Sequence, residues 1–387
     1  MRDVAVLGYG MTPVSEHWDR SLKDLAGEAV LGALRDAQRE RADFLIVSNM
    51  LAASQASGQL NLGAQIADWC GLQGIEAYKA ESACSSGGSA FRAGVLAVAS
   101  GQVDVAIVVG AEKMTEILGP EVTAGLASAA DADYEAPQGP SFVALNALIM
   151  QRYMHEYGWP HEAFAPFSIN AHTNALHNPF ARLHERITIE DYHKSRMVCN
   201  PINLLDASPI GDGAAALVLG AADRHTAGGG RPRLLVMGSA SATDSLAIHD
   251  RRQPLRLSAA ETSAQRAYQM AGLTPAEIDF FELHDAFSIM SALSLEACGF
   301  AAPGQGPRLG LEGVILPGGR LPVATHGGLK ARGHPVGATG VYQLVEVVRQ
   351  LWGEAGGNQL ARAATGMAQN IGGSGATITT HILRRDD

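Results

Sequence analysis

The chain has 387 residues, of which 47% are hydrophobic, 18% charged and 6% aromatic, and its formal net charge is −10. This length exceeds one ordinary hydrophobic core, so we expect two units of similar size or one large composite domain. The acidic balance excludes a broad basic surface, so we expect neither nucleic acid nor an anionic membrane as a partner. A single anionic cofactor needs only a local cluster of Arg and Lys and is not excluded.

The four cysteines, Cys70, Cys84, Cys199 and Cys298, are widely separated and form no CxxC pair. A disulfide framework or a structural zinc site is therefore not expected. The N-terminal segment MRDVAVLGYG resembles a strand and lacks the charged flank and apolar core of a signal peptide. These features predict a cytoplasmic protein in which Cys84 stays a free thiol.

Strands and helices alternate along the first part of the chain. VAVLGYG (4–10) predicts a buried strand, residues 21–38 place apolar side chains at helical spacing, and DFLIVSNM (43–50) and VDVAIVVGAEKM (103–114) predict further buried strands. Between the last two strands, CSSGGSAFRAGVLAVASG (84–101) predicts a helix rich in Ala, Ser and Gly. A helix with so few large side chains can be packed on every side in the middle of a molecule.

Residues 117–204 interrupt this alternation. They include a polar, acidic loop (131–138), a helix that contains QRYMHEYG (151–158), and a stretch rich in His and Asn. Insertions on α/β scaffolds commonly form the wall of a binding site. The strand signal GDGAAALVLG (211–220) then returns the chain to the first unit.

The second half repeats the order of the first half. Residues 255–287 predict a helix, a turn and a strand, as do residues 22–50. GHPVGATGVYQLVEVVRQL (333–351) predicts a glycine-rich turn that leads into a helix, and TITTHIL (377–383) predicts a closing buried strand.

An offset of 236 residues aligns Asp43 with Asp279. Both strands then end in a polar pair, Ser-Asn at 48–49 and His-Asp at 284–285. The match is weak residue by residue, so chance similarity of two βα units stays open as an alternative. A duplicated α/β unit is the simpler interpretation.

The segment ESACSSGGSA (81–90) carries the sharpest chemical signal. Cys84 lies where a strand should end and the small-residue helix should begin. A helix N-terminus stabilises a thiolate, so we expect a lowered pKa for Cys84 and backbone N–H groups available to a ligand. The two glycines would let a substrate come close to the backbone. A structural role is the usual one for a lone cysteine, but this position favours a nucleophile.

A nucleophilic cysteine needs a base, and two histidines follow strands of the second unit: His284 in ELHDAFS and His334 in GGLKARGHPVGATG. With 13 histidines in the chain, either one alone could be an ordinary hydrogen-bonded side chain. Strand ends of this kind are where α/β folds gather their active groups. The turn QNIGGSGA (369–376) adds backbone amides for an oxyanion. Together these features predict an acyl thioester on Cys84, with two imidazoles for proton transfer and for binding a thioester carbonyl.

Seven segments, in order along nearly the whole chain, resemble those of the thiolase superfamily: ESACSSGGSA, VVGAEKM, QRYMHEYG, LLDASPIGDGAAALVL, ELHDAF, GGLKARGHPVGATG and QNIGGSGAT. The chain is most similar to the sterol-carrier-type and archaeal acetyl-CoA acetyltransferases, which have HD where ordinary thiolases have NEAF. The resemblance implies an α/β thiolase fold with duplicated βα halves in a five-layer αβαβα arrangement. The implied boundaries are 1–116 and 205–228 for the N-terminal half, 117–204 for an inserted loop domain that forms the coenzyme A wall, and 229–387 for the C-terminal half.

The resemblance also implies roles for single residues. Cys84 would accept the acyl group, His334 would activate it, and His284 would lie near the first oxyanion site. The backbone amides of Cys84 and Gly372 would form the second oxyanion hole. The remaining candidates, as substrate-binding residues, are Asn370, Lys330 and Met154.

Two positions depart from the family pattern. Ordinary thiolases place a second cysteine in the final glycine turn, where this chain has Asn370. Sterol-carrier-type thiolases place it after HD, where this chain has Ala286. With neither cysteine present, His284 or His334 would have to move the α-proton, and full condensing activity is in question.

The resemblance implies an acyl-CoA acyltransferase of thiolase type in lipid metabolism, which forms an acyl-cysteine and makes or cleaves a 3-ketoacyl-CoA. Coenzyme A and acyl-CoA would be substrates, with no metal and no permanently bound cofactor, and the enzyme would be a homodimer or homotetramer. One alternative is a thiolase-like acyltransferase or retro-aldolase that acts with a small zinc-ribbon/OB-fold partner, although the aldolase type generally lacks the nucleophile. The other is a scaffold that binds acyl-CoA without turnover.

Overall fold

The computed structural model describes residues 2–52, 57–224 and 227–386 of the chain. Within these residues the strands are β1 (Val4–Met11), β2 (Phe44–Ser48), β3 (Glu76–Ala80), β4 (Val105–Glu112), β5 (Met197–Cys199), β6 (Ile202–Asn203), β7 (Gly213–Ala221), β8 (Arg233–Thr243), β9 (Phe280–Glu282), β10 (Thr365–Gly372) and β11 (Thr377–Asp386). The α-helices are α1 (Leu22–Asp36), α2 (Leu62–Trp69), α3 (Ser86–Ser100), α4 (Gly119–Ala127), α5 (Phe142–Tyr157), α6 (Ala165–Ala175), α7 (Ile189–Lys194), α8 (Ser258–Ala271), α9 (Ser288–Ala297), α10 (Gly306–Leu311) and α11 (Thr339–Leu351).

The first half contributes five strands in the order β3-β2-β4-β7-β1. β2 pairs in parallel with β3 and β4, whereas β7 pairs antiparallel with β4 and β1. β2, β4 and β7 are buried along their whole length, which explains why their sequences are nearly continuous apolar runs rather than alternating patterns. α1 and α2 pack on one face of these strands, and α3 and α11 pack on the other.

The second half repeats the topology of four of these five strands. Its strands follow the order β8-β11-β10-β9, which repeats β1-β7-β4-β2 when α8 and α11 are matched with α1 and α3. Helices α8 and α9 cover the outer face of these strands, while α3 and α11 lie between the two halves. The resulting layers are helix, sheet, helix, sheet and helix, so the predicted five-layer fold is confirmed. β1 and β8 pair at two positions. The two sheet layers are therefore joined along these strands into one continuous nine-stranded sheet.

The 236-residue offset marks a true structural repeat. Asp43 precedes β2, and its carboxylate accepts hydrogen bonds from the two amides at the start of β4, at 2.9 Å each. Asp279 precedes β9, and its carboxylate accepts from the two amides at the start of β10, at 2.9 and 3.0 Å. Because the same carboxylate fastens the same pair of strands in each half, chance similarity is the wrong interpretation.

The small-residue helix α3 runs through the middle of the molecule, as predicted, although it begins at Ser86 rather than at residue 84. Its N-terminal end meets the N-terminal end of α11. A Cβ atom on Gly87 would lie 2.7 Å from Cα of Gly340, closer than any side chain tolerates. Glycine at these two positions therefore sets the distance between the central helices.

Between β4 and β7 the chain forms α4 to α7 and the small antiparallel pair β5-β6, whereas their counterparts β10 and β11 follow each other directly. α5 packs against α9, so this segment covers the helix that follows β9 in the second half. Among the helices of the described ranges, none is long and apolar enough to cross a membrane.

Candidate active site

Cys84 lies in a tight turn between β3 and α3. Ala83 adopts a left-handed backbone conformation with φ of 51°, which is rare for a residue with a side chain. The turn is held by short polar contacts: Glu81 Oε1 accepts from the Ala83 amide at 2.5 Å, and Ser86 Oγ accepts from the Ser82 amide at 2.9 Å. The Cys84 side chain is buried and lines an internal cavity.

The two glycines that follow Cys84 are in contact with other parts of the protein and leave no space there for a substrate. Gly87 faces Gly340 of α11, and a Cβ atom on Gly88 would collide with the side chain of Thr379 in β11. The expectation that they let a ligand approach the backbone was wrong. Their function is to bring the nucleophile turn of the first half against α11 and β11 of the second half.

His284 follows β9 and is held by Asn370. The side-chain nitrogen Nδ2 of Asn370 contacts His284 Nδ1 at 3.0 Å, and the side-chain oxygen Oδ1 of Asn370 accepts a hydrogen bond from the backbone amide of Gly88 at 3.1 Å. Since the Gly88 amide can only donate, it fixes the orientation of the Asn370 side chain, and the amide nitrogen must donate to Nδ1. His284 is therefore the tautomer that carries its proton on Nε2, and it can donate a hydrogen bond to a carbonyl oxygen.

His334 lies in the turn before α11 and has the opposite tautomer. Its backbone amide donates to the carbonyl of Pro209 at 3.1 Å, and its Nδ1 contacts the Thr339 hydroxyl at 2.7 Å. That hydroxyl donates to the carbonyl of Pro335 at 3.3 Å, so it accepts from Nδ1–H. Nε2 of His334 then has a free lone pair and can accept a proton. The two imidazoles meet edge to face, with ring centres 5.1 Å apart.

Burial keeps all three groups uncharged. It lowers the pKa of His284 to about 3 and holds that of His334 well below its usual value, with Arg332 adding to both effects. Burial, followed by the charge of Glu112, raises the pKa of Cys84 to about 12. The expected lowering of this pKa by the helix N-terminus was wrong, because desolvation of the thiolate outweighs it.

One cavity of about 180 Å³ is lined by Cys84, His284 and His334 together. The first half delivers the thiol, and the second half delivers both imidazoles. The rest of the wall is mainly apolar and includes residues of the insertion, of α9 and of β10, among them Leu126, Phe142, Val143, Phe287, Met290 and Ile371. Such a wall suits the carbon chain of an acyl group and excludes water from a thioester.

Residues 4–223 match the family described as "Thiolase, N-terminal domain", and residues 240–385 match "Thiolase C-terminal domain-like". The chain belongs to the thiolase family. It is therefore an acyltransferase of the thiolase type.

Relatives of this thiolase agree with the predicted subgroup. It is 45% identical over 387 residues to the acetyl-CoA acetyltransferase of Methanothermobacter thermautotrophicus, and the alignment covers all of both chains. It is 29% identical over 396 residues to sterol carrier protein 2 of Bos taurus, with 97% of this chain and 71% of that protein covered. Among solved structures, the Ltp2-ChsH2(DUF35) aldolase matches with a TM-score of 0.86 and 25% identity, covering 99% of this chain and 98% of that chain.

The other predicted site residues of this thiolase do not line the cavity. Asn370 belongs to β10 rather than to a turn, and it contacts His284 instead of the cavity. The buried ammonium of Lys330 donates to the main-chain carbonyl of Asp206, and Met154 packs against the core beyond the cavity. Gly372 ends β10, next to Gly373 in the cavity wall, so the oxyanion role of its amide stays a prediction.

Two residues that hold the site in place were not predicted from the sequence. Thr339 sets the tautomer of His334, and its signal was its place five residues after that histidine in GHPVGAT. Glu112 is a fully buried carboxylate at the end of β4, and its signal was a lone acid after an apolar strand in VVGAEKM. An acid in that setting predicts burial with dedicated hydrogen-bond donors.

Proposed function

We propose that this thiolase transfers acyl groups between coenzyme A thioesters through an acyl-cysteine on Cys84, as an acetyl-CoA C-acetyltransferase. One observation carries the proposal: Cys84 shares a single apolar cavity with His284 and His334, which have complementary tautomers. The 45% identity to an archaeal acetyl-CoA acetyltransferase supports acetyl-CoA as a substrate.

In the first half-reaction, the sulfur of Cys84 attacks the thioester carbonyl while Nε2 of His334 takes the thiol proton. Because the thiol is protonated at rest, proton transfer accompanies the attack rather than preceding it. The carbonyl oxygen becomes an oxyanion, which the backbone amides of Cys84 and Gly372 stabilise. Collapse of this intermediate expels coenzyme A thiolate, which takes the proton back from His334.

In the second half-reaction, a second acyl-CoA loses an α-proton and its carbanion attacks the carbonyl carbon of the acyl-cysteine. The bond between that carbon and the sulfur then breaks, and the Cys84 thiolate leaves and takes up the α-proton held by His334. The carbonyl oxygen of that second thioester accepts a hydrogen bond from Nε2–H of His284, which stabilises the enolate. His334 takes the α-proton, because its Nε2 is the unprotonated nitrogen. This assignment gives the chain a base where other thiolases use a second cysteine, the positions held here by Ala286 and Asn370.

The wider setting follows from the same proposal. Residues 117–204 form the coenzyme A wall between an N-terminal half (1–116 and 205–228) and a C-terminal half (229–387), because α4 and α5 already supply part of the acyl cavity. We propose a cytoplasmic homodimer or homotetramer that acts in lipid metabolism and holds no permanent cofactor.

A retro-aldolase that acts with a small partner protein is the second candidate. It is favoured by the structural neighbour titled Ltp2-ChsH2(DUF35) aldolase, whose TM-score is 0.86. An aldolase of that type needs no acyl-cysteine, so a covalent adduct on Cys84 separates the two functions.

The test is incubation with acetyl-CoA followed by intact mass spectrometry. We expect a mass increase of one acetyl group in the wild type and in the Cys70→Ala control, and none in Cys84→Ala. Thiolysis of acetoacetyl-CoA then distinguishes an enzyme from a scaffold, because a scaffold forms the adduct without turnover. Absence of any adduct with acetyl-CoA and longer acyl-CoAs would refute the proposal.

A further inference from the structure

A fully buried carboxylate, Glu112, lies behind the nucleophile turn and accepts four hydrogen bonds. One oxygen accepts from the amides of Met50 and Gly337, at 2.8 and 3.0 Å. The other oxygen accepts from the side chain of Asn49 and the amide of Leu51, at 2.8 and 3.1 Å. Every acceptor position of this carboxylate is therefore matched by a donor.

The donors come from two segments that the chain separates widely. Residues 49–51 follow β2 in the first half, whereas Gly337 belongs to the turn that carries His334 in the second half. The two segments touch through their backbones, since a Cβ atom on Gly337 would lie 2.6 Å from the carbonyl carbon of Asn49. Glu112 thus fastens the His334 turn onto the first half.

The residues that Glu112 holds are those that enclose the sulfur. Leu51 and Val336 pack with Cys84 in one small hydrophobic cluster. The amide of Leu51 and the amide that follows Val336 are two of the four donors to Glu112. A shift of either segment would change both the burial of the thiol and the place of His334.

The charge of Glu112 also acts on the thiol. After burial, it is the largest influence that raises the pKa of Cys84, and Glu81 acts in the same direction. Burial raises the pKa of Glu112 itself to about 7, against the hydrogen bonds from the amides of Met50, Leu51 and Gly337 and, to a smaller extent, the charge of Lys79. The two histidines of the cavity are uncharged and do not offset this influence.

We propose that Glu112 is a positioning residue of the active site, which holds the His334 turn and the 49–51 segment around Cys84 and whose charge acts on the Cys84 thiol. The acylation part of this inference rests on the proposed function. The part that concerns the thiol is independent of the proposed function, because a reagent that alkylates sulfur measures the reactivity of Cys84 without any acyl-CoA.

Two variants separate the roles of geometry and charge. Glu112→Gln removes the charge, and either amide orientation places an NH₂ group against two N–H donors. We expect acylation of Cys84 by acetyl-CoA to slow about 100-fold. We also expect the pH profile of iodoacetamide alkylation at Cys84 to shift about one unit toward lower pH. Glu112→Asp keeps the charge on a shorter side chain, so acylation should slow while the alkylation profile stays that of the wild type.

Asp212→Asn is the matched control. Asp212 is as deeply buried as Glu112, and it also accepts four hydrogen bonds, from His17, Met114 and Thr115. It is not among the charges that shift the pKa of Cys84. Loss of a buried, hydrogen-bonded carboxylate should lower stability in both variants. Because the charge of Asp212 does not act on the Cys84 thiol, we expect Asp212→Asn to leave the pH profile of alkylation unchanged.

An alkylation profile that is identical in wild type and Glu112→Gln, or that shifts equally in Asp212→Asn, overturns the proposal. So does wild-type acylation by Glu112→Asp, which also covers the case in which Glu112→Gln does not fold. If wild-type protein forms no acetyl adduct but Glu112→Gln still shifts the alkylation profile, the proposed function fails while the inference about the thiol stands.

Discussion

Equivalent positions at the ends of β2 and β9 carry Ser48 in the first half and His284 in the second half. The Ser48 hydroxyl is buried and has no hydrogen-bond partner among the described residues, whereas His284 is hydrogen-bonded by Asn370 and lines the cavity. At the next position, Asn49 binds Glu112 and helps to fasten the two halves. The comparison shows that one strand end of the repeat helps to fasten the two halves, while its counterpart presents a histidine to the cavity.

The largest expected effect is acid destabilisation that originates in the second half. Burial lowers the pKa of His284, His326 and His381 to about 3, and that of His334 well below its usual value. Below about pH 6.5 the unfolded chain protonates these rings and the folded chain does not, so stability falls as the pH drops from 6.5 toward 3. Each ring costs about 1.4 kcal/mol per pH unit, so the four together remove on the order of 5 kcal/mol at pH 5.5.

Urea unfolding at about pH 7 and about pH 5.5 measures this loss. His381→Gln should make the pH dependence shallower, because His381 is buried against Ser239. His249→Gln, at an exposed position, should leave it unchanged. Equal unfolding free energies at the two pH values would contradict the prediction.

The next largest effect compares the two equivalent strand ends directly. His284→Ala removes the proposed enolate donor and should lower acetoacetyl-CoA synthesis or thiolysis about 10²- to 10³-fold. Ser48→Ala removes a hydroxyl without a partner in the described structure and should leave turnover within about two-fold of wild type. Steady-state kinetics on both variants decides the matter, and a large loss in Ser48→Ala would break the comparison.

A smaller effect comes from the contact between the central helices. Gly340→Ala would place a methyl group against the Gly88 amide and the Asn370 side chain, and it should destabilise the fold by about 2 kcal/mol. The control is Gly32→Ala in α1, where a Cβ atom would lie 3.5 Å from its nearest neighbour. Helix propensity then predicts a gain of about 0.5 kcal/mol or more. Thermal unfolding measures both changes, and equal destabilisation would show that the crossing has no special role.

The smallest expected effect compares the two aspartates that precede β2 and β9. Asp43 and Asp279 make the same two hydrogen bonds, but Asp279 is buried and pairs with Arg362, while Asp43 is exposed. Asp279→Ala should cost about 2 kcal/mol, and Asp43→Ala about 0.5 kcal/mol, because a buried amide left without an acceptor is the more costly. Urea unfolding of the two variants gives the ratio, and a larger cost at Asp43 would contradict it.

The sequence predicts most strands and helices, and the repeat that they form, because each element has its own pattern of apolar residues. Long apolar runs gave β1, β4 and β7, and helical spacing gave α1 and α8. The offset that aligns Asp43 with Asp279 is visible in the sequence, whereas the hydrogen bonds that both carboxylates accept are visible only in the structure. Cys84 and the two histidines were found because they occur where strands end.

The sequence does not predict the surroundings of the site residues, because these depend on contacts between distant segments. The pKa of Cys84 follows from its burial and from Glu112, and Leu51 and Val336 help to enclose it from separate parts of the chain. Lys330 looked available for a substrate, but its ammonium is occupied by the Asp206 carbonyl. Charge and sequence position do not tell which neighbour a side chain will meet after the chain has folded.

The contact between Gly87 and Gly340 has one more consequence. Each is the second residue of its helix, and the two helices are counterparts in the repeat. A twofold axis brings a residue onto its own counterpart in this way, as in an isologous interface between identical subunits. A single chain thus reproduces the geometry of a symmetric pair of half-length subunits, with the cavity of Cys84, His284 and His334 between the two halves.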